Sequence, residues 1–277
     1  ATAAASWSAR YQFSAVNYDG RMWIMGGQDS GGIDLRDVWN STDGITWTQV
    51  DAAADWATRR GPGIVVFNNR IWVMGGYNGS DLNDVWWTTD GSTWTQATAA
   101  AAWSGRYNFG CVSYAGRMWV YGGSTGAGAV NNNVYYSTDG ATWTQATAGA
   151  AWSARWIFGA LTFGGYMWVL GGDAGAGALN QAYYSSDGIT WTSVGTVTTG
   201  ALGASRPAVY SYNNKMWRAG GNTGSVDDNV WNSNTDSTTT SVGPTSYLLV
   251  KNNNEAWYLT GTTLTQISDA DYPIETV

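Results

Sequence analysis

A repeat of about 49 residues constrains this chain more than any other feature. Five glycine pairs recur at steps of 49, 47, 49 and 49 residues, and a tryptophan stands three positions before each pair. Such self-similarity is typical of an array of equal supersecondary units that bury their faces against one another. The pairs are Gly26-Gly27, Gly75-Gly76, Gly122-Gly123, Gly171-Gly172 and Gly220-Gly221.

The pattern within each unit predicts four strands and therefore an all-β fold. Asp43-Gly44 predicts a type I′ hairpin between the third and fourth strands, because Asp-Gly favours positive φ at both central positions. The surrounding phrase, Ser-Thr-Asp-Gly-Ile-Thr-Trp at 41–47, recurs with endings at Trp94, Trp143 and Trp191 and is degraded at 235–239. In the first repeat we expect strands at 13–18, 21–25, 38–41 and 46–50, the second running into the glycine pair.

The order of these elements resembles the kelch repeat: an arginine, an apolar strand, an aromatic strand ending in Gly-Gly, a variable loop and a Thr-Trp-Thr strand. The Asp-Gly phrase is also similar to a shortened Asp-box of sialidase-like propellers. The resemblance implies one β-propeller domain over residues 1–277. We predict six blades, five regular at about 1–50, 51–96, 97–145, 146–194 and 195–242, and a degenerate sixth at 243–277 with strands at 247–250, 255–260, 264–267 and 274–277.

Composition narrows the range of functions. The chain has no histidine, one cysteine, and 13 Lys plus Arg against 20 Asp plus Glu, for a net charge of −7. The commonest general base and metal ligand is therefore missing, and the scarcity of cations argues against nucleic acid as a partner. The absence of a long apolar run argues against membrane insertion. We expect no cofactor and no metal, and we favour a protein without catalytic activity.

An arginine heads each of the five regular repeats, with no counterpart in the sixth, and these arginines form the first candidate site. Arg10, Arg59, Arg106 and Arg155 lie 16 residues before a glycine pair, and Arg206 lies two places later in its repeat. The kelch resemblance implies an innermost first strand, so these side chains would gather at one mouth of the channel and bind carboxylates. The alternative, which repetition favours, is that each arginine ties blades together by bonding to loop carbonyls or to an aspartate.

Aromatic residues flank the arginines. Tyr11, Tyr107 and Trp156 directly follow them, differ between repeats and are therefore further ligand candidates. The tryptophans three residues before the arginines could stack on sugars, although a packing wedge between blades is the reading we favour; these are Trp7, Trp56, Trp103 and Trp152. Three loop carboxylates offer a possible calcium site, against which we favour solvated turns; these are Asp29, Asp34 and Asp37.

These features favour an extracellular or virion-surface module that recognises a glycan or another cell-surface ligand, including a phage tail component or a part of a larger assembly. Residues 262–277 resemble segments of tailed-phage tail proteins. Two alternatives stay open: a kelch-type enzyme acting on a sugar acid, such as an epimerase or mutarotase, and an architectural surface subunit. Because residue 1 is alanine, we expect a processed or excised product whose targeting signal is not visible.

Overall fold

The computed structural model describes residues 5–125, 128–175, 177–196, 207–222, 226–234, 246–251, 256–260 and 263–267. Its contacts divide the chain into two units, Ala1–Gly149 and Ala150–Val277. The elements of regular secondary structure in the described ranges are all β-strands, so the all-β prediction is confirmed. The same ranges contain no helix with the length and apolar character needed to cross a membrane.

The first blade of the first unit is an antiparallel meander that closely follows the predicted strands. The second and third strands have the predicted bounds, and the first and fourth differ from them by one or two residues. Its strands are β1 (Arg10–Tyr11), β2 (Ser14–Tyr18), β3 (Arg21–Met25), β4 (Gln28–Asp29), β5 (Val38–Ser41) and β6 (Thr48–Asp51). Strands β2, β3, β5 and β6 form the four-stranded sheet in that order, and β1 pairs with β4 beside it.

Two further blades of the same design complete the first unit. The second blade comprises β7 (Gly63–Phe67), β8 (Arg70–Tyr77), β9 (Asp81–Thr88) and β10 (Thr95–Thr98). The third comprises β11 (Gly110–Tyr114), β12 (Arg117–Tyr121), β13 (Ser124–Thr125), β14 (Ala129–Val130), β15 (Val134–Ser137) and β16 (Thr144–Thr147). Its sheet runs β11-β12-β15-β16, while β13 and β14 form a separate short pair.

The hydrophobic core of the first unit lies between neighbouring blades. One layer joins Trp23 and Met25 of the first blade to Ile64 and Val73 of the second. An equivalent layer joins Trp72 and Met74 of the second blade to Met118 and Val120 of the third. Each blade therefore buries both faces only in the company of its neighbours, as the repeat pattern predicts.

The tightest hairpin of each blade joins its first two strands. Tyr18 pairs with Arg21 across a two-residue turn, and both turn residues have positive φ, 49° at Asp19 and 66° at Gly20. These are the dihedral signs of a type I′ turn, whose twist matches that of the flanking strands. The corresponding turns of the next two blades are Asn68-Asn69 and Ala115-Gly116.

The prediction of a type I′ turn at Asp43-Gly44 is wrong. Only Gly44 has positive φ, at 70°. The Asp43 carboxylate instead accepts hydrogen bonds from the backbone N–H groups of Ile45 at 2.7 Å and Thr46 at 2.8 Å, and this fixes a longer loop. The same bonds recur around Asp90, Asp139 and Asp187.

The second unit contains one more four-stranded blade and then a wider sheet. The blade consists of β17 (Gly159–Phe163), β18 (Tyr166–Leu170), β19 (Gln181–Ser185) and β20 (Thr192–Thr196). The wider sheet consists, in order, of β21 (Ala208–Tyr212), β22 (Lys215–Asn222), β23 (Val226–Asn234), β24 (Ser246–Lys251), β25 (Ala256–Thr260) and β26 (Thr263–Ile267).

The prediction of six blades is therefore wrong: the described residues form four four-stranded blades, three in the first unit and one in the second, and one six-stranded sheet in the second unit. Strand β23 pairs directly with β24, so the fifth and predicted sixth repeats share a sheet. The physical reason lies in the degraded phrase at 235–239, which lacks the glycine and tryptophan that return the fourth strand in the other repeats. The strand predicted at 274–277 lies outside the described residues.

Candidate binding surface

Each in-register arginine braces its own blade. In the second blade, the Arg59 guanidinium donates to the Gly75 carbonyl at 2.8 Å and to both Asp84 carboxylate oxygens at 2.8 Å. Its Nε donates to the Ala57 carbonyl at 3.0 Å, and the side chain has no exposed surface. The arginine thus joins the end of the second strand, where the glycine pair lies, to the middle of β9.

The same brace recurs at the other in-register arginines with a changing acceptor. The carbonyl of the first glycine in the pair always accepts one bond, while the second acceptor is a carboxylate in two blades and an amide in two. The pairs are Arg10 with Gly26 (3.1 Å) and Asp37 (2.6 and 2.8 Å), Arg106 with Gly122 (2.9 Å) and Asn133 (2.8 Å), and Arg155 with Gly171 (2.8 Å) and Gln181 (3.0 Å).

The backbone of the arginine joins its blade to the preceding one. The Arg59 N–H donates to the Leu35 carbonyl at 2.9 Å, and the Arg59 carbonyl accepts from the Gly27 N–H at 2.9 Å. A Cβ on Gly26 would lie 2.9 Å from that same carbonyl, so the glycine pair is needed for the close approach. Arg106 repeats the connection to the second blade through Leu82 (3.0 Å) and Gly76 (2.8 Å).

The changing acceptor alters the electrostatics of the brace. Burial raises the pKa of the Asp37 carboxyl, but hydrogen bonds from Arg10 and Trp39 outweigh it and hold that pKa below its ordinary value. Burial lowers the pKa of Arg106 and of Arg155 to about 10, so both stay protonated at neutral pH. Within the described ranges neither has a carboxylate at ion-pair distance. The third and fourth blades therefore hold a buried cation on neutral oxygens alone.

These contacts match the alternative in which each arginine has a structural role and bonds to loop carbonyls or to an aspartate. The side chains of Arg10, Arg59, Arg106 and Arg155 have no exposed surface and are held by their own blades. A ligand-binding role for them stays a prediction, and it requires the braces to open. Arg206, the fifth arginine of the predicted site, lies outside the described residues.

Three of the four tryptophans that precede the arginines are packing wedges, while Trp7 is half-buried. Trp56, Trp103 and Trp152 are 0%, 1% and 1% exposed, so their ring faces are not available to a sugar. Each meets the tryptophan of its repeat's Asp-Gly phrase edge to face, and each lies under an arginine guanidinium at 5.4 to 5.9 Å. The edge-to-face partners are Trp94 (5.7 Å), Trp143 (5.8 Å) and Trp191 (5.9 Å).

The residues that follow the arginines form the accessible part of this end of the blades. Each pairs with the residue directly after a glycine pair, so a variable side chain is set on a fixed backbone bridge. These pairs are Tyr11 with Gln28, Arg60 with Tyr77, Tyr107 with Ser124, and Trp156 with Asp173. The first three lie in the first unit and the fourth in the second.

Side-chain contacts connect the first three pairs. The Tyr11 hydroxyl donates to Gln28, whose amide donates to Asp34 at 3.0 Å. Asp34 also accepts from Arg60 of the next blade at 3.1 Å. The Arg60 guanidinium lies 4.6 Å from the centre of the Tyr77 ring, and Tyr77 lies 5.2 Å from the ring of Tyr107 in the third blade. We call this set the band: Tyr11, Gln28, Asp34, Arg60, Tyr77 and Tyr107.

The band rests on a backbone ladder that runs from blade to blade. The Gly61 N–H donates to the Gln12 carbonyl at 2.8 Å, and the Asn108 N–H donates to the Gly61 carbonyl at 2.9 Å. All three residues have positive φ, between 52° and 58°. Side chains of the band are therefore presented from a backbone fixed on both sides, while Tyr11 is 52% exposed and the Arg60 side chain 25%.

Arg60, Tyr77, Gln28 and Asp34 were not among the residues predicted to bind a ligand. The signal was present in the repeat, because Arg60 occupies the same place after its arginine as Tyr11 and Tyr107 do after theirs. Each of the three aspartates considered for calcium accepts hydrogen bonds from the protein. Asp37 accepts from Arg10, Asp34 from Gln28 and Arg60, and Asp29 from the backbone N–H groups of its own loop. The described residues show no cluster of three or more metal-ligating side chains.

Comparison with known proteins identifies a Kelch motif at residues 58–87, which cover Arg59, the second glycine pair and the first three strands of the second blade except for Thr88. No curated protein matches the chain. The kelch resemblance is thus confirmed in one repeat, and the resemblance of residues 262–277 to phage tail proteins finds no support. A Kelch motif in an all-β chain suggests a module for protein interaction.

Proposed function

We propose that this chain is a non-catalytic recognition module that binds a glycan or another cell-surface ligand through the band. The observation that carries the proposal is a contrast between two adjacent positions in each repeat. The arginine is constant, buried and engaged by its own blade, whereas the next residue is variable and partly exposed on a fixed bridge. Variation on a rigid scaffold is typical of specificity-determining residues.

The chemistry of the band suits a ligand with both polar and ring-shaped parts. Tyr11, Tyr77 and Tyr107 offer amphipathic rings, which contribute large contact area at low cost in conformational entropy. Among the described residues, the Arg60 guanidinium donates from one terminal nitrogen to Asp34 and contacts the Tyr77 ring, which leaves its other N–H groups for a ligand. The proposal includes a location outside the cell or on a virion, since a cell-surface ligand is met there.

The arginine braces argue against the sugar-acid enzyme. That reading needs strand-one guanidinium groups that can grip a substrate carboxylate, and Arg10, Arg59, Arg106 and Arg155 are buried on protein acceptors. An architectural subunit instead requires the band to be covered by a neighbouring subunit. A dimerisation or polymerisation assay with Tyr11→Ala therefore separates assembly from ligand recognition.

The binding test uses an array of neutral and acidic glycans beside a panel of displayed cell-surface proteins. We expect wild-type protein to bind at least one class, and Tyr11→Ala and Arg60→Ala to weaken that binding by about tenfold each, as central aromatic and arginine contacts do. Matched controls are Tyr212→Ala, an exposed tyrosine outside the band at 69%, and Arg36→Ala, an arginine held by the Ala54 carbonyl.

Two results would contradict the proposal. One is a lack of binding across both panels. The other is binding that Tyr11→Ala and Arg60→Ala leave at the level of the two controls. Immunolocalisation in the native source tests the location, which is contradicted by a protein confined to the cell interior.

A further inference from the structure

A second set of arginines occupies the opposite end of the blades. Arg70 is the first residue of β8, directly after the type I′ turn, and Tyr77 of the band is the last residue of the same strand. The Arg70 guanidinium lies 3.7 Å from the centre of the Trp87 ring on the neighbouring strand β9. Arg117 begins β12 in the same way and lies 4.2 Å from the ring centre of Tyr136 on β15.

Aromatic rings position these two guanidinium groups, and no protein acceptor in the described residues bonds to them. Within the described part of the chain, neither the Arg70 nor the Arg117 guanidinium donates a hydrogen bond or forms an ion pair, and both contact aromatic rings. Both residues are partly exposed. The Arg59 guanidinium, by contrast, donates to four oxygens. Stacking on an aromatic ring orients the planar group while leaving its N–H edges free for a carboxylate or sulfate.

The rings beneath the arginines are themselves fixed by a second aromatic layer. Trp87 lies 6.3 Å from Trp72, and Tyr136 lies 5.2 Å from Trp119. Trp72 is 1% exposed, so the layer is anchored in the core between blades. An anion at these arginines would therefore meet a preformed donor rather than a mobile side chain, which lowers the entropy lost on binding.

The position repeats across the first unit. Arg21 begins β3 in the first blade and makes one long hydrogen bond, 3.5 Å, to Asn40. In the second unit the equivalent residues are Tyr166, which contacts Tyr184 and carries no charge, and Lys215, which begins β22. Three successive blades thus present one arginine each. We call Arg21, Arg70 and Arg117 the arginine arc.

Acidic groups at the same end do not neutralise the arc. The Asp-Gly loops lie at this end of the blades, and Asp43, Asp90 and Asp139 each accept two N–H groups of their own loop at 2.7 to 2.9 Å. None of these carboxylates lies within ion-pair distance of an arc arginine in the described residues. Asp19 precedes Arg21 in the type I′ turn and is exposed.

We infer that the arginine arc binds an acidic polysaccharide, a polymer with one carboxylate or sulfate on regularly spaced sugars. One arginine per blade suits a ligand that offers the same anionic group at regular intervals. Nucleic acid carries a charge about every 1.7 Å along the duplex, and a chain of net charge −7 with one cation per blade is poorly suited to it. This inference uses the opposite end of the blades from the band and is independent of the proposed function.

Affinity electrophoresis and calorimetry with alginate and dextran sulfate test the inference, with neutral dextran, poly-glutamate and single-stranded DNA for comparison. We expect binding to alginate, dextran sulfate or both, none to dextran, and weakening as sodium chloride is raised. Arg70→Gln should weaken binding about threefold or more, and Arg70→Gln with Arg117→Gln about tenfold or more. Arg36→Gln, which removes the same charge elsewhere, should change it by less than about twofold.

The inference is overturned if neither acidic polysaccharide binds, if the double variant binds as well as Arg36→Gln does, or if poly-glutamate or DNA binds more tightly than both polysaccharides. Thermal denaturation of each variant reports folding. If the double glutamine variant unfolds, Arg70→Lys with Arg117→Lys decides the question, because lysine keeps the charge but loses the planar fork. Weaker binding by that variant supports the inference, and undiminished binding overturns the stacked-guanidinium geometry on which it rests.

Discussion

Asp84→Asn removes the negative charge from the brace of the second blade. Asp84 accepts two bonds of 2.8 Å from Arg59, whose side chain has no exposed surface, while the carboxylate side chain is 15% exposed. The third blade shows what an amide does in this place, since Asn133 accepts a single bond of 2.8 Å from Arg106. The substitution is therefore expected to leave the fold intact and to exchange a paired buried cation for an unpaired one.

The magnitude follows from the geometry. Removing one partner of a buried ion pair costs about 3 to 5 kcal/mol. The asparagine would retain one acceptor for Arg59, and a hydrogen bond to a charged group contributes about 1.5 to 3 kcal/mol. With Asp84 also partly exposed, we expect Asp84→Asn to lower the free energy of unfolding by about 2 to 3 kcal/mol.

Urea denaturation at pH 7 measures this free energy. An unchanged m value shows that wild type and variant expose the same surface on unfolding, so that their free energies can be compared. Asp55→Asn makes the same chemical change at an exposed residue and should lie within about 0.5 kcal/mol of wild type. The reciprocal Asn133→Asp supplies Arg106 with a carboxylate and should stabilise the protein by about 1 kcal/mol. An Asp84→Asn variant as stable as Asp55→Asn, or a destabilised Asn133→Asp, would refute the reasoning.

Three further outcomes follow from the scaffold. Gly91→Ala should cost at least about 2 kcal/mol more than Gly20→Ala in urea denaturation, because both glycines have positive φ but only the Cβ at Gly91 would overlap a neighbour, the ring of Trp23. The pKa of Asp90 is lowered to about 2, mainly by the backbone N–H three residues later, so the stability it contributes is present above pH 4 and is lost as the pH falls toward 2; Asp90→Asn should flatten that part of the stability curve. Burial raises the pKa of the half-buried Cys111 thiol to about 12, so iodoacetamide at pH 8 should label it only after unfolding, and rapid labelling of native protein would contradict that raised pKa.

The strands were predictable because their determinants are local and repeated. The glycine pairs, the strand-two tryptophans and the alternation of apolar residues set the meander, and β3 and β5 begin and end where the pattern predicts. The type I′ turn was misplaced because Asp-Gly also favours a loop in which the carboxylate accepts backbone N–H groups. That choice depends on the loop's length and on Ser41, whose hydroxyl accepts from the Gly44 N–H at 2.9 Å.

The blade count and the binding surface depended on partners that lie far apart in the sequence. Whether β23 ends a blade or continues a sheet is decided by its pairing with β24, which lies beyond the degraded phrase in the sequence. The arginines were recognised as repeated, but their acceptors, such as Asp84 and Asn133, lie 25 and 27 residues away. Only the fold reveals that the constant residue is enclosed and its variable neighbour accessible.

Adjacent residues test the central claim most directly. Arg106 and Tyr107 are neighbours in the chain, yet the first is a buried brace and the second belongs to the band. Urea denaturation of Arg106→Gln and Tyr107→Ala, measured together, should show a loss of about 3 kcal/mol or more for the first and about 1 kcal/mol or less for the second. An Arg106→Gln variant as stable as wild type, or a Tyr107→Ala variant destabilised as strongly as Arg106→Gln, would contradict the division of the repeat into a structural arginine and a recognition residue.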